Sequence, residues 1–261
     1  MPHNTSTDSK VSPHRRLARG DGCNIAYHAS PGESPGVVFL GGFMSDMAGT
    51  KAVALETHCR AQARAFVRFD YQGHGASSGE FLDGTIGGWA SDAVAVLDTL
   101  TKGPQILVGS SMGGWIMLLA ALARPGRVSG LLGIAPAPDF TEDLMWQEFE
   151  PETRDALLRD GMVELPSNYG DGPYLIARGL IEEARAHLLL RAPIALACPV
   201  RLIQGMADDA VPWETSIRLA ERLQSPDVTV SLVKHAGHRF SEPPEIARIT
   251  AALDELTGEI I

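Results

Sequence analysis

A serine, an aspartate and a histidine lie in three short motifs of this chain, and together they could transfer an acyl group. Ser111 is the centre of a G-S-S-M-G sequence at 109–113, which lies between an apolar run and a helical pattern. A G-x-S-x-G sequence in that position is typical of a sharp strand-to-helix turn that exposes a nucleophilic serine. Because a serine hydroxyl is a weak nucleophile, it needs a neighbouring base and an acid that orients the base. We therefore predict that Ser111 is a nucleophile whose partners follow later in the chain.

Candidates for these partners lie in loops after two later strand patterns. Asp208 and Asp209 follow the apolar run 200–203, and we predict that Asp208 orients the base, with Asp209 as the competing choice. His238 lies in a K-H-A-G-H-R-F loop after the next apolar run, and it is the predicted base. His235, nearer the end of that strand, is interpreted as structural. The predicted order along the chain is thus Ser, Asp, His.

Acyl transfer also requires hydrogen-bond donors aimed at the oxyanion that develops on the carbonyl oxygen. The backbone N–H of Met112 is one candidate, because this residue directly follows the nucleophile. Phe43 is the second candidate, in the G-G-F-M loop after the apolar run 37–40. A plain tight turn is the alternative interpretation of that loop.

A further glycine-rich turn, D-Y-Q-G-H-G-A-S-S at 70–78, contains His74. Glycines in such turns adopt backbone angles that other residues avoid. We interpret this turn, and His74 within it, as structural rather than catalytic.

The sequence around these motifs alternates between short apolar runs and longer helical patterns, which is typical of βαβ units. The predicted buried strands are residues 36–40, 65–69, 106–108, 128–134, 200–203 and 228–233. The predicted helices are residues 50–64, 88–100, 112–123, 214–223 and 244–256. An Asp-Gly pair between two short runs predicts an antiparallel edge hairpin at 17–29. The predicted fold class is therefore α/β, with a mostly parallel central sheet flanked by helices.

Residues 137–193 interrupt this alternation, because they hold helical pieces and P-S-N-Y-G-D-G-P turns without a convincing strand. An insertion after a central strand lies over the carboxyl edge of the sheet, where ligands bind. We predict that 137–193 form a small helical lid over a core of 15–136 and 194–261, after a disordered tail at 1–14. The alternative is that these helices pack on the rim without touching substrate. Five apolar lid residues could line an acyl pocket or form the lid's own core: Trp146, Phe149, Tyr169, Tyr174 and Leu175.

The composition is that of one globular domain, with 261 residues, 44% hydrophobic and 21% charged. A net charge of −10 argues against a nucleic-acid partner, since phosphate binding uses clustered Lys and Arg. Three cysteines without paired spacing indicate neither a disulfide framework nor a zinc site, and they fit a reducing cytoplasm. No apolar run reaches membrane-spanning length. We expect a cytoplasmic protein with no cofactor, no metal and no stable membrane insertion, whose oligomeric state the sequence leaves open.

The motifs at 41–43, 70–75, 109–113, 205–212 and 237–238, taken in this order, make the chain resemble the α/β-hydrolase superfamily along nearly its whole length. More narrowly, several longer segments resemble a family of mitochondrial palmitoyl-protein thioesterases and acyl-glucuronide esterases and its bacterial relatives. These segments are FLGGFMSDMAGTKA, GSSMGGWIMLLAALARP, MVELPSNYGDGPYLI, GMADDAVPW and KHAGHRF. The resemblance implies a serine triad of Ser111, Asp208 and His238, a helical lid, no cofactor, and hydrolysis of S-acyl or activated ester bonds.

These residues support one principal hypothesis and two alternatives. The principal hypothesis is a serine hydrolase that cleaves a small-molecule acyl ester or an S-acylated substrate through an acyl-enzyme on Ser111. A serine aminopeptidase on the same fold is the first alternative, and it would need an acidic anchor for the substrate amine, such as Glu142, Asp143 or Glu148. A non-catalytic small-molecule binding protein is the second.

Overall fold

A computed structural model of the chain describes residues 14–20, 22–166 and 173–260. The predicted tail at 1–14 lies outside the described residues except for its last residue. The strands are β1 Arg15–Ala18, β2 Asn24–Ser30, β3 Glu33–Leu40, β4 Arg64–Phe69, β5 Gln105–Ser110, β6 Val128–Ile134, β7 Met162–Leu165, β8 Tyr174–Ala177, β9 Val200–Gly205 and β10 Val228–Val233. The helices are α1 Thr50–Ala61, α2 Ile86–Leu100, α3 Met112–Ala123, α4 Pro151–Asp160, α5 Arg178–Ala184, α6 Glu214–Arg222 and α7 Pro243–Ile260. All predicted strands, helices and the edge hairpin are therefore confirmed, with small shifts at their ends.

Eight strands form the main sheet, in the order β1-β2-β4-β3-β5-β6-β9-β10. The strands β1 and β2 form the predicted hairpin, and β2 runs antiparallel to β4. All other neighbours in this sheet are parallel. Parallel strands end at the same edge, so the loops after β3, β5, β9 and β10 meet at one edge of the sheet.

The helices pack on both faces of the sheet and bury alternate strand residues. Leu107 on β5 packs in the cluster that holds α2 and α3, whereas its neighbours Ile106 and Val108 pack in the cluster that holds α1 and α7. This alternation follows from the period of two in a strand. The helix α3 is apolar on nearly every side and is almost wholly buried, as expected for a helix enclosed by its neighbours.

The strand β10 departs from the predicted burial. It was expected to be buried, but Thr229, Ser231 and Leu232 are exposed, because β10 is the edge strand and has a neighbour on one side only.

The segment between β6 and β9 contains more than the predicted helices. It begins with a wide, π-helical turn at Thr141–Trp146, continues through α4 and α5, and includes β7 paired antiparallel with β8. The predicted helices of this segment are present, but the expectation that it has no strand is wrong; its role as a lid stays a prediction, and we call it the lid segment below. Its own apolar core includes Phe149, Leu157 and Ile176, and packing against α4 stabilises strands too short to form alone. The division of the chain at residues 137 and 193 stays a prediction.

Candidate active site

The backbone at Ser111 forms a sharp turn between β5 and α3. Ser111 has φ of 55° and ψ of −122°, in a region that residues other than glycine rarely adopt. Its N–H donates to the Ile134 carbonyl oxygen at 3.0 Å, so the adjacent strand β6 holds the turn in place. Such strain persists only where the surrounding structure imposes it. The predicted strand-turn-helix geometry at Ser111 is present.

Close backbone approaches explain the glycines around this turn. A Cβ atom at Gly109 would lie 2.3 Å from the Gly113 carbonyl oxygen, and one at Gly113 would lie 2.1 Å from the Leu40 carbonyl oxygen. Both distances are far below van der Waals contact. Glycine is therefore required where α3 begins against β3 and β5.

The side chains of Ser111, His238 and Asp208 form one hydrogen-bonded chain. The Nε2 atom of His238 is 3.0 Å from Ser111 Oγ, and its Nδ1 atom is 2.9 Å from Asp208 Oδ2. The other Asp208 oxygen, Oδ1, accepts the backbone N–H groups of Ala210 and Val211 at 2.9 and 2.8 Å. The Asp208 side chain is 0% exposed, and that of His238 is 16% exposed. This arrangement can pass a proton from the serine to the histidine while the aspartate holds the ring.

The competing residues lie elsewhere. Asp209 and His235 are exposed, whereas the Asp208 carboxylate is the one hydrogen-bonded to His238 Nδ1, at 2.9 Å. His74 is buried among Tyr71, Phe81 and Trp89, with ring centroids 5.1 to 5.6 Å away. Burial lowers the pKa of His74 to about 4. The structural interpretation of His74 agrees with this environment.

The two candidate oxyanion donors both lie beside Ser111. Phe43 and Met112 line the same cavity as Ser111, and a Cβ atom at Gly42 would lie 3.4 Å from the Ser111 Cβ atom. Within the described ranges, neither backbone N–H has a hydrogen-bond acceptor from the protein. Two N–H groups next to a serine hydroxyl could stabilise a negatively charged oxygen.

A cavity of about 450 Å³ opens over Ser111 and has two chemically different walls. The apolar wall consists of Phe43, Ala137, Phe140, Leu144 and Val211, which pack in the cluster that holds α2 and α3, and of Tyr174, which packs against the lid core. The polar wall, on the α1 side, consists of Ser45, Asp46, Thr50, Lys51, Arg239 and Ser241. A substrate whose two halves differ in polarity would fit this cavity with the reacting bond near Ser111.

Lys51 is a cation of the polar wall and lies in the first turn of α1. Its Nζ atom donates a hydrogen bond to the Arg239 carbonyl oxygen, which directly follows His238 in the chain. Burial lowers the pKa of Lys51 to about 8, aided by the charge of Arg239 and opposed by that of Glu245. The sequence carries no signal that marks Lys51, because a single lysine in a helical pattern usually lies on a solvated face.

The predicted apolar lid residues lie in different places. Tyr174 lines the cavity and also packs against the lid core, which includes Phe149 and which Trp146 contacts as well. Leu175 is half-buried and is not among the described residues that line the cavity. Tyr169 lies outside the described residues. Phe140 and Leu144 also line the cavity, although no motif in the sequence marks them.

The acidic lid residues considered as an amine anchor do not reach the cavity. Glu142 pairs with Arg185 at 2.8 Å, and Asp143 pairs with Arg191 and with Arg218. Glu142, Asp143 and Glu148 are all absent from the cavity walls formed by described residues. Within those same residues, no group of His, Cys, Asp and Glu is arranged to hold a metal ion, and no helix is both long and apolar enough to cross a bilayer.

Comparison with known proteins decides the family. A model of the alpha/beta hydrolase family matches residues 37–249. The chain belongs to this family. The hydrolase is 43% identical over 245 residues to the human protein named palmitoyl-protein thioesterase ABHD10, mitochondrial. The aligned residues cover 94% of this chain and 80% of the relative. The predicted family, fold and enzyme class are therefore confirmed.

Solved structures agree with this assignment. The mouse alpha/beta hydrolase domain-containing protein 10 matches the hydrolase with a TM-score of 0.90 and 42% identity, over 96% of this chain and 100% of that one. A putative hydrolase from Agrobacterium vitis matches with a TM-score of 0.89 and 39% identity, over 94% and 99% of the two chains.

The names of the relatives contradict one prediction. The bovine, orangutan, mouse, human and rat relatives are all named as mitochondrial. The predicted cytoplasmic location is therefore wrong. The prediction rested on unpaired cysteines, which indicate a reducing compartment without distinguishing one such compartment from another.

Proposed function

We propose that this hydrolase cleaves acyl thioesters and activated acyl esters through a covalent acyl-enzyme on Ser111. The observation that carries the proposal is the hydrogen-bonded chain from Ser111 Oγ through His238 to Asp208, with distances of 3.0 and 2.9 Å. The thioesterase name of the 43% identical human relative supports an S-acyl substrate. The Ser111 hydroxyl can attack the carbonyl carbon of a thioester as it attacks that of an ester, and the departing thiolate then takes up one proton.

The reaction has two symmetrical halves. In the first, His238 Nε2 accepts the Ser111 proton while Oγ attacks the carbonyl carbon, and the Phe43 and Met112 N–H groups donate to the oxyanion. The tetrahedral intermediate then expels the thiolate or alkoxide, which takes its proton from His238. In the second half, a water molecule gives its proton to His238 and attacks the acyl-enzyme. Release of the acid returns the proton to Ser111.

The walls of the cavity suggest how the substrate lies. The apolar wall, with Phe140, Leu144 and Tyr174, suits the acyl chain. The polar wall, with Lys51 and Thr50, suits the leaving group. A volume of about 450 Å³ falls in the range of about 300 to 1,000 Å³ that holds small ligands.

The test is a hydrolysis assay on matched p-nitrophenyl esters and S-acyl thioesters of increasing chain length, with a fluorophosphonate probe for the reactive serine. We expect the probe to label Ser111 and the Ser111→Ala variant to lose labelling and turnover while keeping its unfolding temperature. Retained turnover in that variant would exclude Ser111 as the nucleophile.

A matched pair of variants tests the acid. Asp208→Asn should lower kcat by about 10⁴-fold, as expected when the orienting carboxylate is lost. Asp209→Asn, one residue away and exposed, should leave kcat near the wild-type value. The reverse result would transfer the role to Asp209.

A further inference from the structure

Gln204 is a polar residue in the strand β9, every residue of which is buried. It lies near the end of β9, four residues before Asp208, and it is 0% exposed. Burial of an amide is costly unless its donors and acceptor are all hydrogen-bonded. The partners of Gln204 therefore indicate why an amide is placed there.

Each polar atom of the Gln204 amide is used. Its Nε2 atom donates to Asp208 Oδ2 at 2.8 Å and to the Val211 carbonyl oxygen at 3.2 Å. Its Oε1 atom accepts the hydroxyl of Ser216, on α6, at 3.0 Å. Turning the amide over would place Oε1 against two other acceptors, so these contacts admit one orientation only. Ser216 is also 0% exposed, so bulk solvent does not compete for the Gln204 Oε1 atom.

The Asp208 oxygen that Gln204 contacts is the one that faces the histidine. Oδ2 accepts both Gln204 Nε2 and His238 Nδ1, while Oδ1 accepts the two backbone N–H groups of Ala210 and Val211. The backbone donors hold only one oxygen and leave the carboxylate free to rotate about it. A fixed donor on Oδ2 removes that freedom.

We propose that Gln204, itself held by Ser216, is a positioning residue that fixes the plane of the Asp208 carboxylate and so orients His238 toward Ser111. This proposal rests on the proposed hydrolytic function. Gln204 is not among the described residues that line the cavity over Ser111. Its effect reaches the reaction through Asp208, and it links the packing of α6 to the orientation of the base.

The first test is kinetic. Gln204→Met keeps the length and apolar volume of the side chain but removes its hydrogen bonds. We expect kcat to fall about 10- to 100-fold with KM little changed, because a small misplacement of a catalytic group costs about that much. Ser216→Ala should have a smaller effect of the same kind. In the Gln204→Met background, Ser216→Ala should cause no further loss, since the amide that it orients is gone.

Gln105→Met is the matched control. Gln105 is also buried and hydrogen-bonded, but it lies at the opposite end of the sheet, at the start of β5, where it donates to the carbonyl oxygens of Lys102, Gly103 and Pro104. We expect Gln105→Met to lower the unfolding temperature without lowering kcat. A kcat loss that merely followed stability would appear in both variants and would overturn the proposal.

Gln204→Glu adds a pH-dependent test that remains if Gln204→Met fails to fold. A neutral carboxylic acid at 204 can still donate to Asp208, but an ionised one cannot and repels it. The ratio of variant to wild-type kcat should therefore fall as pH rises. Both kinetic tests are accompanied by an NMR measurement of the chemical shift of the His238 Nδ1 proton. This shift should change in the Gln204 variants and remain at the wild-type value in Gln105→Met.

The outcomes separate this proposal from the function on which it rests. Absence of fluorophosphonate labelling at Ser111 in the wild-type protein would overturn the proposed function. Labelling in the wild type, together with wild-type kcat and an unchanged pH profile in the Gln204 variants, would overturn the positioning role alone.

Discussion

The ring of Tyr174, on the lid strand β8, lies edge-to-face against the ring of Phe43, with centroids 6.0 Å apart. Phe43 also contacts Phe81, Trp89 and Phe140 through its ring, and it lines the same cavity as Ser111. The lid and the proposed oxyanion loop are therefore in direct contact. Aromatic pairs of this geometry contribute about 0.5 to 1.5 kcal/mol beyond their buried area.

Removal of the Tyr174 ring should affect both substrate binding and the chemical step. We expect Tyr174→Ala to raise KM for long acyl chains, because a cavity wall is lost, and to lower kcat, because Phe43 loses a packing partner. Tyr174→Phe keeps the ring and serves as the control. Steady-state kinetics with C4 and C16 acyl substrates measure both effects, and equal losses for the two chain lengths would contradict contact of Tyr174 with the acyl chain.

The charge of Lys51 should favour substrates whose leaving group is anionic. Loss of one charged hydrogen bond costs about 1.5 to 3 kcal/mol, so Lys51→Met should lower kcat/KM for such substrates by about tenfold or more. The comparison uses two thioesters with one acyl chain and leaving groups that differ only in a carboxylate, because Lys51 also holds the Arg239 carbonyl oxygen. Lys51→Arg keeps the charge, and the preference should remain in that variant. An unchanged ratio between the two thioesters in Lys51→Met would contradict this assignment.

The same preference should depend on pH. Burial lowers the pKa of Lys51 to about 8, so its positive charge is present below that pH and is lost above it. The selectivity for the anionic leaving group should fall as pH rises through about 8. In Lys51→Arg the selectivity should persist to higher pH, since a guanidinium stays charged.

Buried His74 should make the protein less stable in acid. Its pKa is lowered by burial from 6.5 to about 4, and its Nε2 atom is buried without a hydrogen-bond partner in the described structure. The unfolded chain takes up a proton below pH 6.5 that the native protein takes up only near pH 4. Stability contributed by neutral His74 is therefore present above pH 6.5 and is lost, by about 3 kcal/mol, as pH falls to 4. Urea unfolding of wild type and His74→Phe from pH 4 to pH 7 should show a shallower pH dependence in the variant.

Asp139 should be essential for holding the two ends of the lid segment together. Its side chain is fully buried and accepts the N–H groups of Leu189 and Leu190 at 2.7 and 2.8 Å and an Arg191 guanidinium N–H at 2.8 Å. Asp139→Ala leaves two backbone donors without an acceptor and should lower the free energy of unfolding by about 3 kcal/mol. Asp143→Ala removes a carboxylate that is more exposed and pairs with the same Arg191, and its cost should be about 1 kcal/mol or less. Equal losses in chemical denaturation would contradict the role given to Asp139.

The order of core elements and the residues that meet at the sheet edge could be predicted from sequence. Ser111 and His238 each lie in a short motif placed directly after a strand, so chain topology brings them to one edge. Asp208 could not be separated from Asp209 by spacing, because the backbone path of the loop decides which carboxylate turns inward. In the structure the loop directs the N–H groups of Ala210 and Val211 to Asp208, which holds that carboxylate inward.

Residues whose roles depend on tertiary contacts could not be predicted. Gln204 is a polar residue within the mostly apolar run of β9, which is visible in the sequence. Its hydrogen bonds to Asp208 and Ser216 depend on the fold and could not be predicted from that pattern. The short strands β7 and β8 carry no strong alternation, and packing against the rest of the lid decides their structure. Tyr174 could be identified as apolar lid material, but its contact with Phe43 depends on the path of the hairpin.

The strands that flank the lid, β6 and β9, are neighbours in the sheet, with Leu131 paired to Val200. The chain thus leaves and re-enters the core at two adjacent points, and the hydrogen bonds between these strands do not depend on what is inserted between them. Lengthening such a connection costs little, since loop-closure entropy grows only slowly with length. Exchange of the cavity-facing residues of this segment would therefore give the same Ser111–His238–Asp208 chain a different acyl-binding surface, as long as the residues that pack in the main core, such as Leu180 and Leu190, are kept.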